Sequence, residues 1–368
     1  MESEIRVEAG AVTVLRLYDV AYAIDLARVE ALGAAQAPAV ARLRLTRAEP
    51  KAMDFGVPPV EIGLGPVELT TDAGTLAGSA RARVYDFGVV SVLLRFPVAG
   101  LSWDELVERA LAVERASSAS HSWEELLARL RALAGPALDR PTEQRIEEDY
   151  LLTVVERLTP AVTAEELLAR VDIVPLLAGE RQPLSEAARH ELLRNRFSYY
   201  PTDLAVLTWD RAFLLEPAGD RDVADVLEVA NAQLLELRYY DELLDAELPR
   251  MYDRVEATRR GFSGLARRRF ADLARSLYTL VAEVTETTER VDNALKVTED
   301  VYLARIYGAA LELFRVHTWG AAVQRKLAII RDTYSALYDE SSASRSELME
   351  FLIVILILAE IVIALVRP

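Results

Sequence analysis

Residues 80–96 read ARARVYDFGVVSVLLRF and carry the clearest secondary-structure pattern in the chain. Polar and apolar residues alternate up to Tyr85, Asp86-Phe87-Gly88 can form a tight turn, and a second apolar run follows. Alternation with a period of two is typical of a strand with one buried face. The stretch therefore predicts a β-hairpin. A second hairpin is predicted over 197–216, FSYYPTDLAVLTWDRAFLLE, with its turn at Trp209-Asp210-Arg211.

Working outward, each hairpin has a strand and a helix before it and a helix after it. A strand is predicted from Val12 to Ala23, with Asp25 capping a short helix. Ser102 and Glu105 have the S-x-x-E spacing of a capping box, as do Thr163 and Glu166. Ser122 repeats this signal. The repeated order predicts an α+β fold of duplicated ferredoxin-like antiparallel sheet modules.

After the modules the pattern becomes helical, so that four domains are predicted. They are a first α+β module (1–145), a second α+β module with its hairpin (146–225), a helical hairpin or coiled-coil region (226–345), and a C-terminal transmembrane or membrane-docking helix (346–368).

The helical region contains a seam of mostly apolar residues that step by three and four, as at the a and d positions of a coiled coil. An antiparallel hairpin within one chain, with its tip near 297–300, explains this spacing, and so does an intermolecular coiled coil. We expect a homo-oligomer stabilised by this region. The seam residues are Leu313, Val316, Val323, Leu327, Ile330, Tyr334 and Leu337.

The chain ends in an apolar run, LMEFLIVILILAEIVIALV, from Leu348 to Val366. At about 1.5 Å per residue, this run is long enough to cross a hydrocarbon core of roughly 30 Å. The alternative is a helix buried in protein, because an ionised Glu360 is costly in lipid. The residues assigned to this membrane or oligomer helix are Phe351, Leu352, Ile355, Leu358, Glu360 and Ile363.

Composition restricts the possible functions. The 368 residues carry a net charge of −16, which makes nucleic acid an unlikely partner, because affinity for phosphate comes from clustered Lys and Arg. The absence of cysteine excludes disulfides and thiol nucleophiles. The abundance of Ala, Arg, Leu and Glu indicates a bacterial source.

The motifs of catalysis and cofactor binding are absent from the sequence. There is no phosphate-binding loop and no nucleophile elbow, and His121, His190 and His317 are too far apart in sequence to form a ligand pair. The sequence therefore predicts no catalytic, cofactor-binding or metal site. A basic concentration from Arg259 to Arg269 has two explanations: a face that pairs with acids of the same chain, or a patch for headgroups or RNA.

Several of these segments resemble the "required for meiotic nuclear division" family, whose shared unit is a domain of unknown function. The first hairpin matches it at Tyr85, Phe87 and Gly88. The second hairpin matches it at Asp203, Leu204 and Trp209-Asp210.

The terminal segment, from Ser344-Arg345 to Glu360, is also similar to that family. The resemblance implies a protein that is associated with a membrane through its C-terminal helix, assembles with itself and has no established enzymatic activity.

The function expected from the sequence is that of a non-enzymatic, tail-anchored scaffold at the cytoplasmic face of a bacterial inner membrane. Its α+β head would recruit an unknown protein partner. The alternative is an enzyme or a nucleotide- or RNA-binding module with a site hidden in the β-modules. A concave pocket on the sheet, with converging carboxylates of perturbed pKa, is the feature that would favour this alternative.

Overall fold

In the computed structural model of the chain, strand β1 (Arg6–Asp19) lies inside a large sheet. It is hydrogen-bonded to β7 (Val89–Val98) on one side and to β10 (Glu147–Thr159) on the other. The structure describes residues 4–36, 40–42, 53–142, 146–259, 263–293, 295–297 and 302–366. It divides into unit 1, Met1–Tyr239 with Glu289–His317, and unit 2, Tyr240–Thr288 with Thr318–Pro368.

The strands and helices are numbered in chain order. The other strands are β2 (Ala21–Ile24), β3 (Val40–Arg42), β4 (Met53–Phe55), β5 (Val60–Thr71), β6 (Gly74–Val84), β8 (Leu101–Ser102), β9 (Leu138–Pro141), β11 (Arg196–Phe197), β12 (Leu204–Leu207), β13 (Arg211–Leu215) and β14 (Leu295–Val297). The helices are α1 (Leu26–Gln36), α2 (Trp103–Ser118), α3 (Ser122–Ala134), α4 (Ala164–Arg170), α5 (Val174–Ala178), α6 (Glu186–Leu192), α7 (Asp222–Arg259), α8 (Ser263–Asp292), α9 (Tyr302–Leu313) and α10 (Val316–Val366).

The strand order of the large sheet is β11-β12-β13-β10-β1-β7-β6-β5-β3, and β8 also pairs with β1. One sheet with helices in the C-terminal part confirms the α+β class. The duplicated ferredoxin-like modules are not confirmed. In the first half β1 runs antiparallel to β7, whereas in the second half β10 runs parallel to β13, so the two halves differ in strand direction.

One face of this sheet packs against helices. Val12 and Val14 of β1 lie opposite Phe96 and Leu94 of β7, and all four are buried in the core of unit 1. Side chains two positions apart share a face, so this apolar alternation sets which face is covered. The helical side of the core comes from α2 and α3, through Leu106, Val107, Ala110, Trp123, Leu126 and Leu130.

The two predicted hairpins are present. The first is β6–β7, closed by a bond from the Tyr85 amide to the Val89 carbonyl. Gly88, in the turn of this hairpin, has a φ of 100°. A Cβ on this residue would lie 1.8 Å from the Ala21 carbonyl oxygen, so there is no space for a side chain. The second hairpin is β12–β13. Glycine in the first turn is therefore required by both conformation and space.

Most predicted helix starts are also confirmed. Ser102 and Glu105 form a reciprocal capping box at α2, and Thr163 and Glu166 form one at α4. Asp25 accepts a bond from the Arg28 amide at the start of α1. Ser122, however, is the first residue of α3 and not its cap; His121 occupies the cap position without a side-chain bond.

The predicted helical seam is interrupted in the structure. Its first two residues lie on different helices, because α9 ends at Leu313 and α10 begins at Val316. Arg315 between them has φ of 55°, which an α-helix cannot contain. The region of the predicted hairpin tip contains strand β14, paired with β4; residues 298–301 lie outside the described ones.

Within unit 2, the middle of the seam is buried in the chain's own helices. Val323, Leu327 and Ile330 are at most 4 % exposed. Lys326, on the same helix, pairs with Asp241 and Asp245 of α7 at 2.6 and 2.7 Å. The part of the seam that the structure describes in unit 2 thus supplies an intramolecular core.

The predicted C-terminal membrane anchor is wrong. Across the described ranges, no helix is long and apolar enough to cross a membrane, which also overturns the predicted localisation at an inner membrane. The physical reason is that Glu350 and Glu360 divide the run. Nine apolar residues lie between them, and they span about 13 Å of helix, less than half of a hydrocarbon core.

Gly88→Ala is expected to lower the free energy of unfolding by about 3 kcal/mol or more, since it adds a steric clash to a left-handed backbone. The matched control is Gly135→Ala, where φ is −45° and no atom lies within 4 Å of the added Cβ. We expect the control to change stability by less than about 1 kcal/mol. Urea denaturation of both variants tests this, and equal effects would contradict the role given to the turn.

Candidate functional site

A cavity of about 330 Å³ lies in unit 1, on the sheet face that α2 and α3 leave uncovered. Its floor is built by alternate residues of neighbouring strands. Thr13 and Leu15 of β1 lie opposite Arg95 and Leu93 of β7, on the face away from Val12 and Val14. The remaining apolar lining comes from Ala11, Leu152, Val154, Leu214, Val223 and Ala224. A volume of this size is typical of a site for a small molecule.

The first feature of the wall is a buried ion cluster around Arg83, which is 1 % exposed. Its Nη1 donates to Glu228 Oε2 at 2.5 Å, and its Nε donates to Glu61 Oε2 at 3.2 Å. Its Nη2 lies 2.7 Å from Asp225 Oδ1, but neither atom has a hydrogen-bond partner. The Asp225 contact is therefore an ion pair without hydrogen-bond alignment.

The cluster continues to Tyr85, whose hydroxyl donates to Glu228 Oε1 at 3.0 Å. Burial raises the pKa of Tyr85 well above its usual value, and the Glu228 carboxylate adds to the rise. Burial also raises the pKa of Glu228, while the Arg83 guanidinium opposes this shift. Since each charge has a counterion or a donor at short distance, this cluster is a structural clamp between β6 and α7.

Arg81 and Arg95 also border the cavity and remain half exposed, as does Arg221, whose Nη2 lies 3.8 Å from Glu61 Oε2. Arg81 donates to Glu61 Oε1, and Arg95 donates to Glu156 Oε1, each at 3.2 Å. Their side chains are 41 % and 38 % exposed. Among the contacts of the described residues, each guanidinium uses one nitrogen in these pairs, so that donors remain for a bound group.

Another part of the cavity lining is acidic. Glu216 follows β13 and is 7 % exposed, and its Oε1 is buried without a hydrogen-bond partner among the described residues. Burial raises its pKa to about 8, and the carboxylates of Asp220, Asp203 and Asp222 add to the rise. Burial likewise raises the pKa of Asp220. Glu216 is thus protonated at neutral pH.

A second cavity in unit 1, of about 550 Å³, is lined by Asp19, Arg16 and Arg131. Burial raises the pKa of Asp19 to about 7. The Arg16 guanidinium is already bound by both carboxylate oxygens of Asp149, at 2.5 and 2.9 Å. The sheet cavity offers three half-exposed arginines, Arg81, Arg95 and Arg221, and it is therefore the stronger candidate.

The comparisons with known proteins concern the part of the chain that builds this sheet. A family model described as "Uncharacterized protein MJ0711, N-terminal domain" matches residues 9–221, more than half of the chain. The chain belongs to this family. It is 28 % identical, over 196 residues, to the uncharacterized protein MJ0711 of Methanocaldococcus jannaschii. No solved structure matches it significantly.

The alignment with MJ0711 covers 53 % of this chain and 59 % of that relative, so the chain spans about three fifths of the relative's length. Because that relative comes from an archaeon, the predicted bacterial character is corrected. The family description differs from that of the "required for meiotic nuclear division" family, and the resemblance to the latter stays a prediction.

The MJ0711 N-terminal domain family covers most of the cavity but not all of it. Its range, 9–221, includes Arg81, Arg95 and Glu216. Asp225 and Glu228 of the clamp lie beyond it, on α7. The arginine and acidic ends of the cavity thus belong to the family domain, whereas the helix that closes it comes from the part that follows.

The residues that the sequence singled out do not line this cavity. Of the seam, Val316 is buried in unit 1, Leu313 and Tyr334 are half-buried, and the Leu337 side chain lies outside the described ones. Of the predicted membrane or oligomer helix, Ile355 is 45 % exposed. The side chains of Phe351, Leu352, Leu358, Glu360 and Ile363 lie outside the described ones, as do those of Arg259, Arg260 and Arg267–Arg269.

Sequence reasoning missed the cavity arginines and carboxylates. One signal was present: Arg81, Arg83 and Arg95 alternate with the apolar core residues of the first hairpin and so share the other face of the sheet. A second signal was the acid-rich turn from Glu216 to Asp222. Neither identifies its partners, because Arg83 and Glu228 are 145 positions apart.

Glu216→Gln is expected to stabilise the protein increasingly as pH rises from about 4.5 to about 8. The folded pKa lies above the unfolded one, so the unfolded state loses its proton first, and wild-type stability falls through this window. The gain at pH 8 should reach a few kcal/mol. Urea denaturation at pH 4 provides the control, since both proteins are neutral at this position there. A gain independent of pH would contradict the assignment.

Proposed function

We propose that unit 1 is a binding module for a small molecule with an anionic group, a carboxylate or a phosphate, held in the sheet cavity by Arg95 and Arg81. The observation that carries this proposal is the pair of half-exposed guanidinium groups at the border of a 330 Å³ cavity. Among the expectations from the sequence, the alternative of a site hidden in the β-modules is the one that this geometry supports.

The chemistry of arginine favours an anionic group. A guanidinium presents a planar fork of donors that suits carboxylate and phosphate. Arg95 is bound by Glu156 through Nη2 at 3.2 Å, and the Glu156 side chain is itself 38 % exposed. A half-exposed ion pair contributes about 0–1 kcal/mol, so a ligand anion can compete with Glu156 at little cost.

The size and charge of the protein favour a small molecule over a polymer. A cavity of this volume encloses a metabolite-sized ligand. The net charge of −16 opposes the approach of a long polyanion, whose binding depends on many phosphate contacts. A small anion needs only the local field of the arginines.

Isothermal titration of the full chain with propionate and with ethyl phosphate at pH 7 tests the proposal. One of the two is expected to bind at a single site, and Arg95→Gln should weaken that binding at least about tenfold, because a charge-assisted bond is lost. Arg181→Gln is the matched control: Arg181 is 42 % exposed and ion-paired with Asp104, away from the cavity. No binding by either anion, or equal loss in the control, would overturn the proposal.

A second function, self-association through α10, is favoured by a different observation in unit 2. Ile353, Val354, Ile355, Leu356 and Ile357 are each between 45 % and 64 % exposed. Five consecutive exposed apolar residues on a helix form a surface that is typically covered in the functional state. We propose a second copy of the chain as the partner, in line with the expected homo-oligomer.

Light scattering of the full chain is expected to give a multiple of the single-chain mass of 40.9 kDa. Leu356→Glu should return it to one chain, because it places a charge in the apolar contact. Ile329→Glu is the matched control, since Ile329 lies on the same helix and is 41 % exposed outside this run. A single-chain mass for the wild type would contradict the proposal.

A duplicated ferredoxin-like origin of the two halves is also proposed. It is supported by the shared order of a long strand followed by a hairpin and a helix: β1, β6–β7 and α2 in the first half, and β10, β12–β13 and α7 in the second. The opposite directions of β7 and β13 relative to these long strands mean that the second copy has been rearranged.

A further inference from the structure

We infer that the ligand of the sheet cavity is dipolar, with an ammonium group that binds Glu216 and Asp220 a few bonds from the anionic group that binds Arg95. This inference rests on the proposed function and names the class of its ligand: amino acids, their short homologues, or aminoalkyl phosphates.

The first argument is the unsatisfied carboxyl at the acidic end. Glu216 is 93 % buried, lines the cavity, and has an oxygen with no hydrogen-bond partner among the residues that the structure describes. The carboxylates of Asp203, Asp220 and Asp222 act on it, and the buried Tyr302 hydroxyl, whose pKa the Glu216 carboxylate raises, belongs to the same group. A buried carboxyl oxygen without a donor among acids is unfavourable. A positively charged donor would satisfy it.

The second argument identifies the kind of cation. In the described parts of the chain, no group of three His, Asp or Glu side chains is placed to hold a metal ion. Asp203, moreover, is already engaged, since its carboxylate accepts from the Tyr199 and Tyr200 amides at 2.7 and 3.1 Å. An ammonium group needs fewer oxygen ligands around it than a metal ion does, because each of its N–H groups donates one hydrogen bond to one carboxyl.

The third argument is the distance between the two ends. Val155 of β10 pairs with Leu215 of β13, so the next residues, Glu156 and Glu216, are neighbours across one strand spacing of about 5 Å. The Arg95 guanidinium lies at Glu156. The residues that hold the two ends thus come from neighbouring strands, so a ligand that contacts both can be short, with an ammonium and a carboxylate a few carbons apart.

Binding should therefore move a proton. Glu216 is protonated at pH 7, because burial raises its pKa to about 8. An ammonium group beside it favours the carboxylate, so the carboxyl proton leaves to solvent as the ligand enters. An anion that carries no amine leaves Glu216 protonated, so this carboxyl releases no proton.

The test compares matched probes on the full chain at pH 7: β-alanine with propionate, and 2-aminoethyl phosphate with ethyl phosphate. Affinity is measured by titration calorimetry and proton release by pH-stat titration in unbuffered potassium chloride. We expect at least one amine-bearing probe to bind about tenfold or more tightly than its amine-free counterpart. That probe should release close to one proton per bound molecule.

The variants separate this inference from the proposed function. Glu216→Gln should abolish both the proton release and the preference for the amine, while propionate or ethyl phosphate still binds. Arg95→Gln should weaken the binding of all four probes. Equal binding of each pair, with no proton released, would overturn the inference and leave the proposed function standing. Binding of none of the four would overturn both.

Discussion

The buried guanidinium of Arg83 is the constraint on which the rest of unit 1 depends. An unpaired charge in a protein interior costs many kcal/mol, so the Arg83 guanidinium requires carboxylates in direct contact with it. Two of these are supplied by α7, at Asp225 and Glu228, and a third, Glu61, comes from the neighbouring strand β5. The first turns of α7 are therefore held over the sheet at β6 and oriented about the helix axis.

The cavity follows from this arrangement. Charged side chains of α7 meet the sheet at the clamp, and the cavity beside them is lined by residues of α7 and of strands β1, β7 and β10. Arg81, Arg95 and Arg221 border this space, and so do Glu216 and Asp220. A protonated, partnerless Glu216 lowers stability at neutral pH. Binding sites commonly carry such costs, since their polar groups are arranged for a ligand.

Local features of the sequence predicted local structure well. The turn at Asp86-Phe87-Gly88 and the capping boxes at Ser102 and Thr163 depend on residues within a few positions of one another. The sheet order is different. The parallel pairing of β10 with β13 joins strands separated by several helices, and no pattern within either strand specifies its neighbour.

The charged site was beyond prediction for the same reason. The alternation that placed Arg81 and Arg83 on one strand face could not show that Arg83 is buried against α7.

At the C-terminal end, spacing alone suggested one unbroken seam and a membrane anchor. The left-handed backbone at Arg315 ends the first helix of that seam. The prediction of the anchor gave the total length of the apolar run more weight than Glu350 and Glu360, the two acids that divide it.

A double-mutant cycle on Arg83 and Glu228 tests the central claim most directly. Arg83→Met and Glu228→Met would each be measured by urea denaturation, alone and together. Each single change should cost about 3–5 kcal/mol, because it leaves a buried partner without its counterion. The double variant should lose at least about 2 kcal/mol less than the sum of the two, the mark of direct coupling. Additive losses would show that the two side chains act independently and that the clamp does not hold α7 in place.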